Sequence, residues 1–110
     1  MENLNDIYEL KELILSSKEY VDYKDSLKLV EDDKEINGLI KKIISIQKLI
    51  VKKESQKQET INLNEELDNL YSNLYGNKKY SSYIEKSKRL NQLITRVQKR
   101  LNDYFDSLVS

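Results

Sequence analysis

Cysteine and histidine are both absent from the 110 residues. Without cysteine there is no disulfide, no thiolate metal site and no cysteine nucleophile. Without histidine, the usual zinc sites, the Ser-His-Asp arrangement and the most common general base are also missing. Proline is absent, and glycine occurs only at Gly38 and Gly76, so very little interrupts helix along the chain. Alanine is missing too, so helices that meet here do so through Ile, Leu and Tyr, in broad, side-chain-filled contacts. The longest aliphatic stretch is broken by Lys41, Lys42, Gln47 and Lys48, which leaves no membrane span. The opening MENLNDIYEL is acidic and lacks the continuous apolar run of a signal peptide. A soluble cytoplasmic protein is expected.

What remains is charge and periodicity. Charged residues make up 35% of the chain, above the roughly 25% of average globular domains, yet the aliphatic residues fall at regular intervals rather than in blocks. Periodicity under high charge means exposed helices, not disorder. At this length the chain is expected to form one helical domain, residues 1–110, able to bury roughly 65% of its unfolded surface.

The densest apolar segment is INGLIKKIISIQKLIV, from Ile36 to Val51, with nine aliphatic side chains. Ile36, Leu39, Ile43, Ile46 and Ile50 form one helical stripe; Ile40, Ile44 and Val51 form a second beside it. That face is wider than a coiled-coil seam, so the segment reads as the central helix of a bundle, touching neighbours on at least two sides. Asp32 followed by Glu35 gives an N-cap pattern at its start, with Asp33 adding charge that the helix dipole favours. Gly38, inside this helix, reads as a point where a neighbouring helix approaches closely.

Upstream, a first helix is expected from about Asn3 or Asn5 to near Ser16, turning Leu4, Ile7, Leu10 and Ile14 inward, with Tyr8 and Leu15 alongside. Ser16 followed by Glu19 fits a capping box, favouring a helix that restarts with a bend over one that runs through the serines. The second helix carries Tyr20, Tyr23, Leu27 and Val30 on a narrow edge. Downstream of the central helix, Lys52 to Thr60 contains no aliphatic residue and is either an exposed helical extension or a loop. Periodicity resumes at Leu63, Leu67, Leu70 and Leu74; Asn62 and Glu65 are candidates to cap that helix, Gly76 to end it left-handed, and Asn77 to cap the next. The last segment repeats most regularly, through Tyr83, Ser87, Leu90, Ile94, Val97, Leu101, Tyr104 and Leu108, widened by Ile84, Leu93, Phe105 and Val109. The expected fold is all-α: an antiparallel helical bundle of about four to five helices, two of them long and amphipathic.

Net charge is zero but sorted along the chain: −6 over residues 1–37, +5 over 38–58, −4 over 59–77 and +5 over 78–110. Acidic short helices thus alternate with basic long ones, which favours antiparallel neighbours of opposite sign and steering of a partner. Carboxylates cluster at Glu31, Asp32, Asp33 and Glu35 and again at Glu65, Glu66 and Asp68, positions that helix capping explains without chemistry. No catalytic, cofactor or metal constellation is present, so no enzyme activity is expected. Two groups are candidates for binding a partner. Tyr71, Tyr75, Tyr80 and Tyr83 surround the Gly76 turn, where exposed rings would suit protein recognition. Arg89, Arg96 and Arg100 fall on one face of the last helix and, with Tyr80 and Tyr83 nearby, would suit RNA, although no RNA-binding signature accompanies them.

Nearly the whole chain resembles the YlbF/YmcA family of small helical bacterial regulatory proteins. The likeness is carried by LKELILSSKEYVDYKDSLKLVEDDKEINGLI, by the central helix through IQKLI, and by LYGNKKYSSYIEKSKRLNQLITRVQKRLNDYF. Its most telling part is the spacing of Ile14, Ser17, Tyr20, Tyr23, Leu29, Asp32, Asp33 and Glu35. The resemblance implies a non-enzymatic cytoplasmic adaptor that assembles with paralogues, is associated with RNase Y and mRNA maturation, and bears on competence, sporulation and biofilm formation. Some related members are described as holding an iron–sulfur cluster through cysteines. This chain has none, so that cofactor does not carry over. The primary expectation is a helical adaptor that self-associates as a homodimer; the alternative is a small RNA-binding module using the Arg89, Arg96 and Arg100 face.

Overall fold

The structure is a computed structural model that describes residues 2–109, with side chains from residue 6 onward. Five helices follow one another: α1 (Glu2–Leu15), α2 (Lys18–Glu31), α3 (Lys34–Ser55), α4 (Ile61–Gly76) and α5 (Lys78–Val109). There is no strand among the described residues. The fold is all-α, with α3 and α5 as the long amphipathic pair; at 22 and 32 residues they extend roughly 33 and 48 Å. Leu4, expected to point inward, lies outside the described side chains.

The helix ends show how local chemistry divides the chain. Between α1 and α2 the helix does restart, but the capping hydroxyl belongs to Ser17, which accepts the Tyr20 amide at 3.1 Å. Ser16 instead donates back to the Glu12 carbonyl at 2.9 Å, closing α1. The start of α3 is offset in the same direction: Asp33, not Asp32, accepts the Ile36 amide at 2.9 Å. In both cases the residue nearer the helix reaches its third amide, the geometry that a short side chain can span. Asn77 caps α5 as expected, accepting the amides of Lys79 and Tyr80.

Lys52 to Thr60 is part helix and part turn. α3 runs on to Ser55, and the chain then reverses through two bonds, Gln58 amide to Lys53 carbonyl and Lys57 amide to Glu54 carbonyl. These are the paired bonds of a Schellman motif, with Lys57 in the left-handed position at φ 55°. Gly76, by contrast, has no positive φ and simply closes α4. Neither Asn62 nor Glu65 starts α4: the helix opens at Ile61 behind Thr60, whose hydroxyl accepts from the Asn64 side chain.

The contacts divide the chain into two compact units, one taking in the chain up to Leu27 together with the stretch from Tyr83 onward, the other spanning Lys28–Ser82. In Lys28–Ser82, α3 and α4 pack as an antiparallel hairpin. Ile36 is fully buried, and Ile43, Ile50, Leu70 and Leu74 are buried with it. These residues are the first apolar stripe of α3 and its counterpart on α4. Across the seam the Gln47 side-chain amide donates to the Tyr71 hydroxyl. The second stripe is not buried as expected: Ile44 is exposed and Val51 is 67% exposed. Gly38 is not a point of close approach either, since a methyl group there would meet no atom within 4 Å. Lys79 at the start of α5 reaches Asp33 at 3.2 Å, tying the cap of α3 to the first turn of α5.

In the other unit burial is sparse. Ser26 and Leu90 are buried, and the Ser26 hydroxyl donates to the Tyr23 carbonyl at 2.8 Å. Ser87, the one polar residue in the α5 repeat, has its hydroxyl shielded from solvent without a hydrogen-bond partner.

Three measurements follow from these features. Ile43→Asp places an unpaired carboxylate in the α3–α4 seam, where it costs several kcal/mol, on the order of 3 or more, so the chain unfolds by circular dichroism at room temperature; a melting curve like that of the parent would remove Ile43 from the core. Gly38→Ala meets open space in a helical backbone and raises stability by up to about 1 kcal/mol, read as a higher Tm. Asp33 has its pKa lowered first by the Ile36 amide and then by Lys79. A lowered folded-state pKa stabilises the protein above the ordinary aspartate range, near pH ~4, and that contribution fades as pH falls through the still lower folded value. Asp33→Asn keeps an acceptor at the cap but removes the charge, so its stability deficit against the parent narrows on acidification below about pH 4. A deficit that stays constant with pH would mean that the charge is not what matters.

Candidate functional site

An apolar recess lies between α1 and the last turns of α5, both in the unit that contains the chain ends. It is a groove of about 310 Å³ with Ile7, Leu10 and Leu13 on one wall and Leu101, Tyr104 and Phe105 on the other. Asp6 and Glu9 edge the α1 wall, and Arg100 edges the α5 wall. The two walls follow from sequence periodicity: Leu10 and Leu13 recur at helical spacing on α1, as do Leu101, Tyr104 and Phe105 on α5. What is unusual is how little of this surface is covered. Leu13 is 65% exposed, and Ile7, Tyr104, Phe105, Leu108 and Val109 are also exposed. Exposed apolar groups gathered on one face, unlike singly scattered ones, mark a docking surface.

The aromatic candidates divide into two sets. Tyr75 of α4 stacks between Tyr71, at a ring-centroid distance of 6.1 Å, and Tyr80 of α5, at 5.6 Å, with interplanar angles of 21° and 12°. The three rings bridge the α4–α5 turn, and Tyr75 is 55% exposed. The Tyr83 ring lies 5.8 Å from that of Tyr23 on α2, in the other unit.

The arginines are less free to act as a cationic patch than their spacing suggests. Arg89 bonds Glu85 at 2.6 Å and shares a recess with Lys86 and with Lys18, Glu19 and Asp22 of α2. Arg96 lies in a shallow, exposed recess with Lys88, Asn91, Gln92 and Thr95. Arg100 shares its groove with Asp6 and Glu9. Carboxylates of α1 and α2 therefore offset the positive potential at both ends of the arginine face. Ile7, Leu10, Leu101, Tyr104 and Phe105 read in sequence as apolar-stripe positions, and Leu13 takes no place in a stripe. The signal for their exposure was the excess itself: α1 carries apolar residues on more than one face, including Tyr8, Leu13 and Leu15.

Among the described residues no group of three or more His, Cys, Asp or Glu side chains is placed to hold a metal ion, and the chain offers neither thiolate nor imidazole. Its donors therefore do not fit an iron–sulfur cluster. No helix among the described residues is long and apolar enough to cross a membrane.

Over residues 4–104 the chain matches the family described as "Control of competence regulator ComK, YlbF/YmcA". No characterised protein matches it by sequence. Among solved structures, it is similar to Bacillus subtilis RicA, seen by X-ray crystallography in complex with RicF, with a TM-score of 0.84 and 17% identity over 99% of this chain and 97% of that one. At that identity the likeness is one of fold. The match across residues 4–104, together with the five-helix fold, places the chain in the YlbF/YmcA family.

Proposed function

We propose that this protein is a non-enzymatic cytoplasmic adaptor that acts by binding other proteins through its helices. The observation that carries the reading is the open apolar groove between α1 and α5, whose exposed Ile7, Leu13, Tyr104 and Phe105 make a surface suited to another helix. The stack of Tyr71, Tyr75 and Tyr80 supplies a second, rigid aromatic surface in the other unit. Membership of a family described by control of the competence regulator ComK supports a regulatory role. RicA, crystallised in complex with RicF, supports a protein partner of the same general kind.

In this role the chain forms a homodimer, assembles with paralogues, and through RNase Y modulates mRNA processing and the developmental programmes of competence, sporulation and biofilm formation. Direct RNA binding by the arginine face is disfavoured because Glu85, Glu19 and Asp22 share the surface of Arg89, and Asp6 and Glu9 that of Arg100. The test is affinity capture of the tagged protein from its native cell extract, with and without ribonuclease, followed by mass spectrometry. Family paralogues or RNase Y should be recovered from both samples. Recovery only while RNA is intact would transfer the role to the arginine face.

A further inference from the structure

We propose that the outer face of α3, the side turned away from α4, docks an acidic amphipathic helix of a protein partner. The inference goes beyond the adaptor reading, which rests on the groove in the other unit, by adding a second surface in Lys28–Ser82 and naming the chemistry of its occupant. Ile44 and Val51 are the apolar part of this face. They lie about two helical turns apart, and both are exposed although their spacing is as regular as that of the buried stripe. Between them Gln47 donates to the Tyr71 hydroxyl of α4, which fixes the near edge of the face against the seam. Lys41, Lys48 and Lys52 form the far edge. At roughly 100° per residue they stand about 140–180° round the helix axis from Ile43 and Ile50, which are buried in the seam, and all three are exposed.

Charge selects the occupant. From Ile36 to Lys53 the helix carries five lysines and no acid. Lys79 is neutralised by Asp33 and Arg89 by Glu85, whereas among the described residues Lys41, Lys48 and Lys52 make no ion pair. The carboxylates of the hairpin leave Lys48 and Lys52 unmatched. Glu66 of α4 shares a recess with Lys41 and Lys42, Glu65 and Asp68 belong to α4 across the seam, and Glu54 sits one turn beyond Val51. A partner helix with a leucine stripe flanked by glutamates matches both parts of the face. Its stripe covers Ile44 and Val51, and its glutamates meet lysines that are spread over about 16 Å, or three turns. A basic helix would instead set cation against cation, which opposes docking. Nucleic acid is served less well, since α3 has no aromatic ring on which a base could stack.

The test is fluorescence anisotropy with the full chain and a labelled helical peptide of about 20 residues, with leucines at helical spacing and glutamates beside them. Two control peptides replace its glutamates by lysine or its leucines by serine. The parent protein should bind the acidic amphipathic peptide at least about tenfold more tightly than either control. Lys48→Glu with Lys52→Glu, and Val51→Ser separately, should each weaken that binding by about tenfold or more, while Leu13→Ser in the groove of the other unit leaves it unchanged. The substituted side chains are exposed, so helical circular dichroism should be retained; if the double charge variant loses it, Val51→Ser decides. Absence of binding in the micromolar range, or equal binding of the acidic and basic peptides, overturns the proposal, as does binding that Val51→Ser leaves unchanged or that Leu13→Ser abolishes. So does a single-stranded RNA oligonucleotide that binds more tightly than the peptide and is released by the same charge variant. Any of these leaves the adaptor reading standing if affinity capture still recovers a family partner. A capture that recovers none, with the peptide still bound at α3, removes that reading and leaves this one.

Discussion

The seam between α3 and α4 is the constraint on which Lys28–Ser82 depends. Ile36, Ile43 and Ile50 repeat every seven residues along α3, and Leu70 and Leu74 answer them from α4. Each such side chain, once buried, contributes about 1.5–3 kcal/mol, so a few of them hold the hairpin against the entropy of ordering it. The positions of the flanking devices follow. The Schellman turn at Lys53 to Gln58 brings α4 back in register with α3, and the Asp33 cap fixes where α3 begins, with Ile36 as the first residue of the seam. That the turn uses Lys57 in a left-handed conformation, which lysine adopts at some expense, indicates that seam packing decides the turn geometry.

The unit that contains α1 and most of α5 is organised differently. Its sequence is at least as regular, yet of the buried apolar side chains only Leu90 belongs to it among the described residues. α5 loses cover along its length: Leu90 is buried, Ile94, Val97 and Leu101 are half-buried, and Tyr104 and Leu108 are exposed. A strict apolar repeat that runs beyond the surface available to cover it is costly in water, because the exposed stripe gains nothing from its own regularity. Such a pattern is intelligible when other helices complete the burial.

Much of this was legible in the sequence, and the errors share a cause. Five helices, the long central and terminal pair, the break at the serines and the Asn77 cap could all be read from spacing and residue type. The caps at Ser17 and Asp33 were each displaced by one residue because Ser16 and Asp32 satisfy the same local pattern; the choice depends on which oxygen reaches the third amide, and that is set by the backbone. Gly38 and Gly76 misled for a related reason. Glycine permits close approach and left-handed backbone but does not require either, and here Gly38 faces open space while Lys57 takes the left-handed position. The second stripe of α3 and the walls of the α1–α5 groove could not be assigned from periodicity, which reports that a face is apolar and not whether the same chain covers it. Tyr83 is a further case: nothing in its spacing says that its ring lies 5.8 Å from that of Tyr23.

Uneven burial is what a helical adaptor needs. A chain that buried all of its aliphatic residues would have nothing to offer a partner, and one that exposed them everywhere would not stay folded. Here the cost of an open apolar face in one unit is offset by a well-covered seam in the other, with the two sets of residues kept apart in sequence. Charge then separates the tasks at the open face. Asp6, Glu9 and Arg100 line the edge, where, on the adaptor reading proposed above, they would act over the Debye length of about 8 Å to orient an approaching helix. The leucines and aromatic rings act only on contact, once water is expelled. On that proposed reading, orientation and association rate would belong to the charged edge, and residence time to the apolar floor.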